Sequence, residues 1–179
     1  MSTVVTVSSS SDHSFSKKPV DQIELIAGIG VAGDSHSGKT VQHLSRVAKD
    51  PTQPNLRQVH LLHTELLDDL NLKGFKVYPG DIGENILTRG VDLLGLSTGT
   101  KLHIGSHAVL EVTGLRNPCK QIENFQSGLL SQVVSRDTSG HVVRIAGVMS
   151  IVLTDGMVLP GDNIRIEPPP APHRPLEYV

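Results

Sequence analysis

From Tyr78 onward the chain is cut by turn signals, "PGD", "STG", "GSH", "TDG" and "PGD" again, spaced roughly every ten residues. Between them lie short apolar runs, "ENILTRG", "TKLHIG", "AVLEVTG", "HVVRIAGVMSIVL" and "DNIRIE". Segments this short, rich in Val, Ile and Leu and without helices between them, predict an antiparallel barrel or sandwich and disfavour a doubly wound sheet. The first half agrees in part. Thr3 to Val7 alternates as a strand, Ile23 to Ala27 forms another that glycines 28, 30 and 33 interrupt, and "LRQVHLLH" alternates again. One helix is clear: Thr64 can cap "ELLDDLNL", Leu66, Leu67 and Leu70 share a face, and Gly74 lies where a C-terminal cap belongs. "IENFQSGLLSQV" predicts a short second helix, and "PPPAPHRP" an extended, exposed tail unable to donate to a sheet.

Length and charge narrow the function classes. At 179 residues the chain is expected to be one domain with tails, and no internal repeat is evident. A net charge of −2, with acids and bases interspersed, offers neither a basic stripe for nucleic acid nor a membrane-surface cluster. No apolar run is long enough to span a bilayer and the N-terminus lacks a signal-peptide pattern. A single cysteine excludes an intrachain disulfide and any multi-cysteine zinc or iron-sulfur site, which fits a cytoplasmic protein.

Several motifs carry chemistry. "GDSHSGKT", Gly33 to Thr40, satisfies the nucleotide P-loop pattern, but its approach is broken by glycines and no alternation of strands and helices follows. A weaker anion-binding role for the loop, through its amides and Lys39, survives. His36 and His43 with Asp34, and His60 with His63, could ligate a metal; surface or hydrogen-bonded histidines are the simpler reading. "YPGDIGENI" is a turn entering a strand, whose Glu84 and Asn85 can hydrogen bond a polar ligand. Cys119, in "LRNPCKQIE", is either a small buried hydrophobe or a reactive thiol. Arg116 and Lys120 favour its thiolate, Pro118 stiffens the approach, Asn117 offers donors, and His60, His63 or His103 could supply a base.

In order along the chain, "GIGVAGDSHSGK", "RQVHLLH", "PGDIGENI", "DLLGLSTGTKLHIGSHAVLEVTG", "LRNPCKQI" and "GVMSIVLTDGMVLPGDNIRIE" resemble the blocks of MOSC domains, named for the C-terminal domain of molybdenum cofactor sulfurase. The resemblance runs from about Val4 to Glu167 and implies a stand-alone MOSC domain over 1–167, followed by a Pro-rich tail over 168–179. It implies a mainly β fold, a largely antiparallel MOSC-type β-barrel with a few peripheral α-helices. It further implies that Cys119 is the sulfur-carrying or molybdenum-ligating atom. Gly33, Asp34, His36, Gly38 and Lys39 would then contact the phosphate of molybdopterin, with Lys17 or Lys18 as additional candidates, and Glu84, Asn85, Arg116 and Asn117 would line the same pocket. Pyridoxal phosphate is not expected, because the aminotransferase-like domain of the full sulfurase is absent from this sequence. Two activities follow from the resemblance: a molybdenum cofactor-dependent reductase of N-hydroxylated small molecules, which needs an electron-donor protein, or a persulfide carrier loaded by a cysteine desulfurase.

Overall fold

The computed structural model describes residues Met1–Val179. The chain opens with strands β1 (Thr3–Ser9), β2 (Lys18–Val20), β3 (Ile23–Ile26) and β4 (Gly30–Val31), followed by a single helical turn, α1 (Leu44–Val47). Strand β5 (Val59–His63) runs straight into α2 (Thr64–Leu72), then come β6 (Ile86–Arg89), β7 (Lys101–Ile104) and β8 (Ala108–Leu115). Helices α3 (Lys120–Phe125) and α4 (Leu129–Val133) lead to β9 (Val134–Arg136), β10 (Val142–Arg144), β11 (Val148–Thr154), β12 (Gly156–Val158) and β13 (Ile164–Glu167). No helix is long and apolar enough to cross a membrane.

Eight strands form one sheet in the order β13-β7-β8-β11-β5-β6-β1-β2, and every neighbouring pair is antiparallel except β5 with β6. That parallel pair requires a crossover, which α2 supplies. The sheet curls. Ahead of β13, the Val4 amide donates to Asp162 O at 2.9 Å, Gly161 N–H to Val4 O at 2.8 Å and Ile164 N–H to Ser2 O at 2.9 Å, so β1 meets the segment leading into the opposite edge strand. A ribbon β12-β3-β4 and the hairpin β9-β10 flank it.

Side chains alternate across the sheet, so adjacent leucines serve different cores. Leu61 and Ile86 join the larger cluster with Leu102, Leu110 and Val148, whereas Leu62 and Leu87 pack with Leu66, Leu67 and Leu70 of α2 and with Ile122, Leu129 and Val133 of α3 and α4. This second core anchors the short helices beyond β8, and with them the cysteine.

Three local expectations change. Thr64 is the first helical residue and buried; the extended residue ahead of it is His63, because β5 enters α2 without a loop. The helix expected in "IENFQSGLLSQV" is two helices, and the Glu123 carboxylate accepts the Gly128 amide at 2.8 Å and the Leu130 amide at 3.3 Å, satisfying donors at the start of α4. "HVVRIAGVMSIVL" splits into β10 and β11 at Gly147, whose φ of +88° takes the backbone out of the strand conformation. "PPPAPHRP" is largely exposed, as expected, and beyond it the chain returns to the sheet: Leu115 donates to Glu177 O at 2.7 Å and the Val179 amide donates to Leu115 O at 3.2 Å. It lies against Gly114, where any Cβ would collide with Glu177 O and the Val179 side chain.

Candidate functional site: a cation-lined cavity around Cys119

Strand β8 carries the chain to Leu115, and the Arg116 amide then donates to Gly147 O at 3.0 Å. Asn117 and Pro118 turn the chain outward and deliver Cys119, in extended conformation, to the residue before α3. The thiol is exposed and makes one side-chain contact, Sγ–H to Gln121 Oε1 at 3.4 Å. The exposure decides against the buried, inert cysteine. Asn117 is braced by Arg144, whose Nε donates to its Oδ1 at 2.9 Å while the guanidinium stacks 4.4 Å from the Tyr178 ring centroid.

Cys119 opens onto a cavity of about 790 Å³. Its walls carry Lys17, Arg46, Lys49, Arg57, Arg116 and Lys120, together with His13, His36, His43 and His60, and no carboxylate. Of the six cations only Lys17 has a carboxylate partner, Asp34, at 2.8 Å. The other five are uncompensated, and their crowding is felt: burial, then Arg46 and Arg116, push Arg57 down to about 10. Arg116 is lowered by burial although Cys119 and Glu84 oppose the shift, and its Nη1 is sealed from solvent without a hydrogen-bond partner. Such a wall is built to receive negative charge.

Behind the wall is a polar web. Lys17 Nζ donates to both oxygens of Asp34 at 2.9 and 2.8 Å, Asn85 Nδ2 donates to Asp34 Oδ2 at 3.0 Å, and the His36 amide donates to Oδ1 at 2.9 Å. Burial raises the Asp34 carboxyl, but the hydrogen bond from His36 and the Lys17 ammonium outweigh it and hold Asp34 well below the usual range. Asn85 Oδ1 accepts the His60 amide at 3.1 Å, and His60 Nε2 donates to Ala146 O at 2.8 Å, which fixes the tautomer. Burial keeps His60 neutral and, with the His36 and Arg57 charges, pushes His43 down to about 3. The His36 and His43 rings stack with centroids 4.4 Å apart.

A model of the MOSC domain matches residues 38–165. The chain belongs to the MOSC family. A crystal structure of the YUAD protein from Bacillus subtilis is similar over 93% of this MOSC chain and 96% of that one, at 26% identity and TM-score 0.73. YiiM from Escherichia coli (19% identity, TM-score 0.63, 97% of this chain and 73% of that one) shares the fold. So does YiiM from Geobacillus stearothermophilus (15% identity, TM-score 0.62, 93% and 75%). No functionally curated protein matches the chain in sequence.

Among the residues singled out in this MOSC sequence, the cavity collects Cys119, Arg116, Asn117, Asn85, His36 and Lys17. Asp34 lies one contact behind, holding Lys17 and Asn85. Glu84 faces inward, fully buried, with one oxygen accepting the Gly80 amide. Gly33, Gly38, Lys39 and Lys18 are not on the wall. The loop reaches the cavity through the His36 ring, while several of its amides are engaged within the fold. Asp34 N donates to Val31 O, Ser35 N to Ser10 O, Ser37 N to Asp34 O and Gly38 N to Ile29 O, so these four amides are already bonded. Asn55 pins the loop by donating to His36 O and Gly38 O. Nor is there P-loop context, since β4 has two residues and α1 starts only at Leu44. Missed by sequence reasoning are Arg46, Lys49, Arg57, His13 and Tyr178, whose positions carry no shared spacing that would betray a common wall.

Proposed function

We propose that this MOSC chain binds the molybdenum cofactor in the cavity and reduces N-hydroxylated small molecules, with the Cys119 thiolate as metal ligand. One observation carries the proposal: an exposed thiol shares a cavity with five cations that have no carboxylate partner. The residues present fit a phosphate-bearing group, since Arg46, Lys49, Arg57 and Lys120 are free to neutralise it and Arg116 has an unsatisfied nitrogen. No three metal-binding side chains converge anywhere in the fold, so a metal held by Cys119 must bring most of its ligands, as a dithiolene does. When bound, the cofactor supplies the oxygen-removing redox chemistry. The protein's part is to hold the phosphate on the cationic wall, present one soft thiolate, and offer the Asn117 amide nitrogen beside it, with Asn85 and neutral His60 bracing the wall from behind. An electron-donor protein and a cytoplasmic setting complete this proposal. The backbone bonds between Ser2, Val4 and the segment 161–164 support describing the curled sheet as a barrel, with 1–167 as the domain and 168–179 strapped onto it.

A second reading, a persulfide carrier loaded by a cysteine desulfurase, is favoured by the thiol's exposure and by its having Gln121 as sole side-chain partner. Metal and pterin analysis after expression in a cofactor-producing host separates the two. Stoichiometric molybdenum in the wild type, lost in Cys119→Ser, supports the first. A wild type free of molybdenum that gains one sulfur on Cys119 from a desulfurase rejects it for the second.

A further inference from the structure

We infer that Cys119 takes sulfane sulfur directly from a small dianionic donor of the thiosulfate class, making the cavity a sulfurtransferase site. The inference rests on the carrier reading and needs no molybdenum. Its ground is where the charges are: Arg46, Lys49, Arg57, Arg116 and Lys120 line the concavity that Cys119 faces, the three arginines half-buried and the two lysines exposed, with no carboxylate on the wall. None of the five has an acidic partner within salt-bridge distance, while the buried Lys17 is satisfied by Asp34 and leaves the count unaffected. Cations lining a concavity select a charged group small enough to enter, and the half-buried arginines are screened less than surface charges would be. A docking protein needs a complementary outer face instead, and the cavity's volume of about 790 Å³ leaves ample room for a small oxyanion with its water.

The chemistry balances without an added oxidant. The Cys119 thiol first gives its proton to solvent, and the thiolate attacks the sulfane sulfur of thiosulfate. A new sulfur–sulfur bond forms, the bond within thiosulfate breaks, and its electron pair leaves with sulfite. The products are a persulfide anion on Cys119 and the sulfite dianion, so total charge is unchanged and the cationic wall stabilises donor, leaving group and product alike. A nucleophilic acceptor such as cyanide then removes the outer sulfur as thiocyanate and restores the thiolate. Arg46, Lys49 and Arg57 are assigned the binding of the donor's sulfonate end, and Arg116 and Lys120, which flank the thiol in sequence, the sulfur that changes hands.

The test uses the full chain purified from a host unable to make the pterin cofactor. Thiosulfate is expected to add one sulfur to Cys119, seen by intact mass, and to yield thiocyanate with cyanide; Cys119→Ser is expected to do neither. The Arg46→Gln, Lys49→Gln double variant is expected to raise the thiosulfate KM about tenfold and that of a neutral organic trisulfide far less, so the ratio of the two is the readout. Loading by a desulfurase but not by thiosulfate overturns this inference and leaves the carrier reading standing. Loading by neither, from a thiol that iodoacetamide still alkylates, overturns both. Equal use of thiosulfate and the neutral trisulfide, unaffected by the double variant, shows that the cations do not select the donor and also rejects it.

Discussion

Glu84 is buried next to the cavity's back wall, with one oxygen accepting the Gly80 amide and the other unpartnered. Burial pushes its carboxyl up to about 7 from an ordinary 4.5, against the Gly80 hydrogen bond and the Arg116 charge. The sign of the consequence follows from which state holds the proton longer. Below 4.5 the folded and unfolded forms are both protonated; as pH rises toward 7 the unfolded chain ionises first, so stability falls. Across that window the loss is on the order of 3 kcal/mol. Glu84→Gln is therefore expected to flatten the pH dependence, and urea unfolding at mildly acidic and mildly alkaline pH reads it. A variant that loses as much stability as wild type between the two conditions would assign the slope to another group. The same residue shows how burial and function separate, since Asn85, its neighbour, reaches the cavity while Glu84 points into the protein.

At the scale of elements, the junction of β10 and β11 depends on Gly147. A Cβ there would strike Leu61 O and come within 3.0 Å of His60 Nε2, in addition to the strain of φ +88°. Gly147→Ala is expected to cost at least about 2 kcal/mol, measured as a lower urea midpoint at unchanged slope. The His60 hydrogen bond to Ala146 is expected to weaken with it, visible as a change in the imidazole NMR shifts. The strands between regular turn signals were legible in sequence because each buries one face and keeps a period of two, as β8 does with Ala108, Leu110 and Val112 inward. The break at Gly147 was not, because a continuous apolar run looks the same whether or not a glycine within it turns positive. The docking of the last residues, beyond the exposed prolines, was illegible for a related reason. The tail's prolines describe local stiffness, whereas its docking depends on Gly114, sixty-odd residues away, leaving room for Glu177 and Val179. Cys119, Arg116 and Asn85 were legible because one motif or ordered block contains each. Arg46, Lys49 and Arg57 were not, since only the packing of the β4–β5 connection against the β8–α3 turn brings them to the thiol.

For the whole molecule, the near-neutral total of −2 conceals a segregation of charge. All 18 carboxylates lie off the cavity wall, and six of the 16 lysines and arginines are on it, so the remaining surface is distinctly acidic around a positive mouth. Alkylation of Cys119 is expected to reflect this. Relative to a free thiol peptide, the anionic reagent iodoacetate should gain on neutral iodoacetamide by about tenfold at low salt, and the gain should shrink as ionic strength screens the wall. A rate ratio equal to the peptide's at every salt concentration would show that the field does not reach the thiol.

The strapped C-terminus has a practical corollary for anyone handling the protein. Val179 packs on Gly114, and Tyr178 is itself part of the cavity wall, so a fusion partner or affinity tag appended after Val179 would emerge at the rim of the cavity and pull on one side of it. Met1, by contrast, is fully exposed. Immobilisation, labelling and tagging belong at the N-terminus, and an assay of Cys119 performed on a C-terminally tagged protein would report on the tag as much as on the thiol.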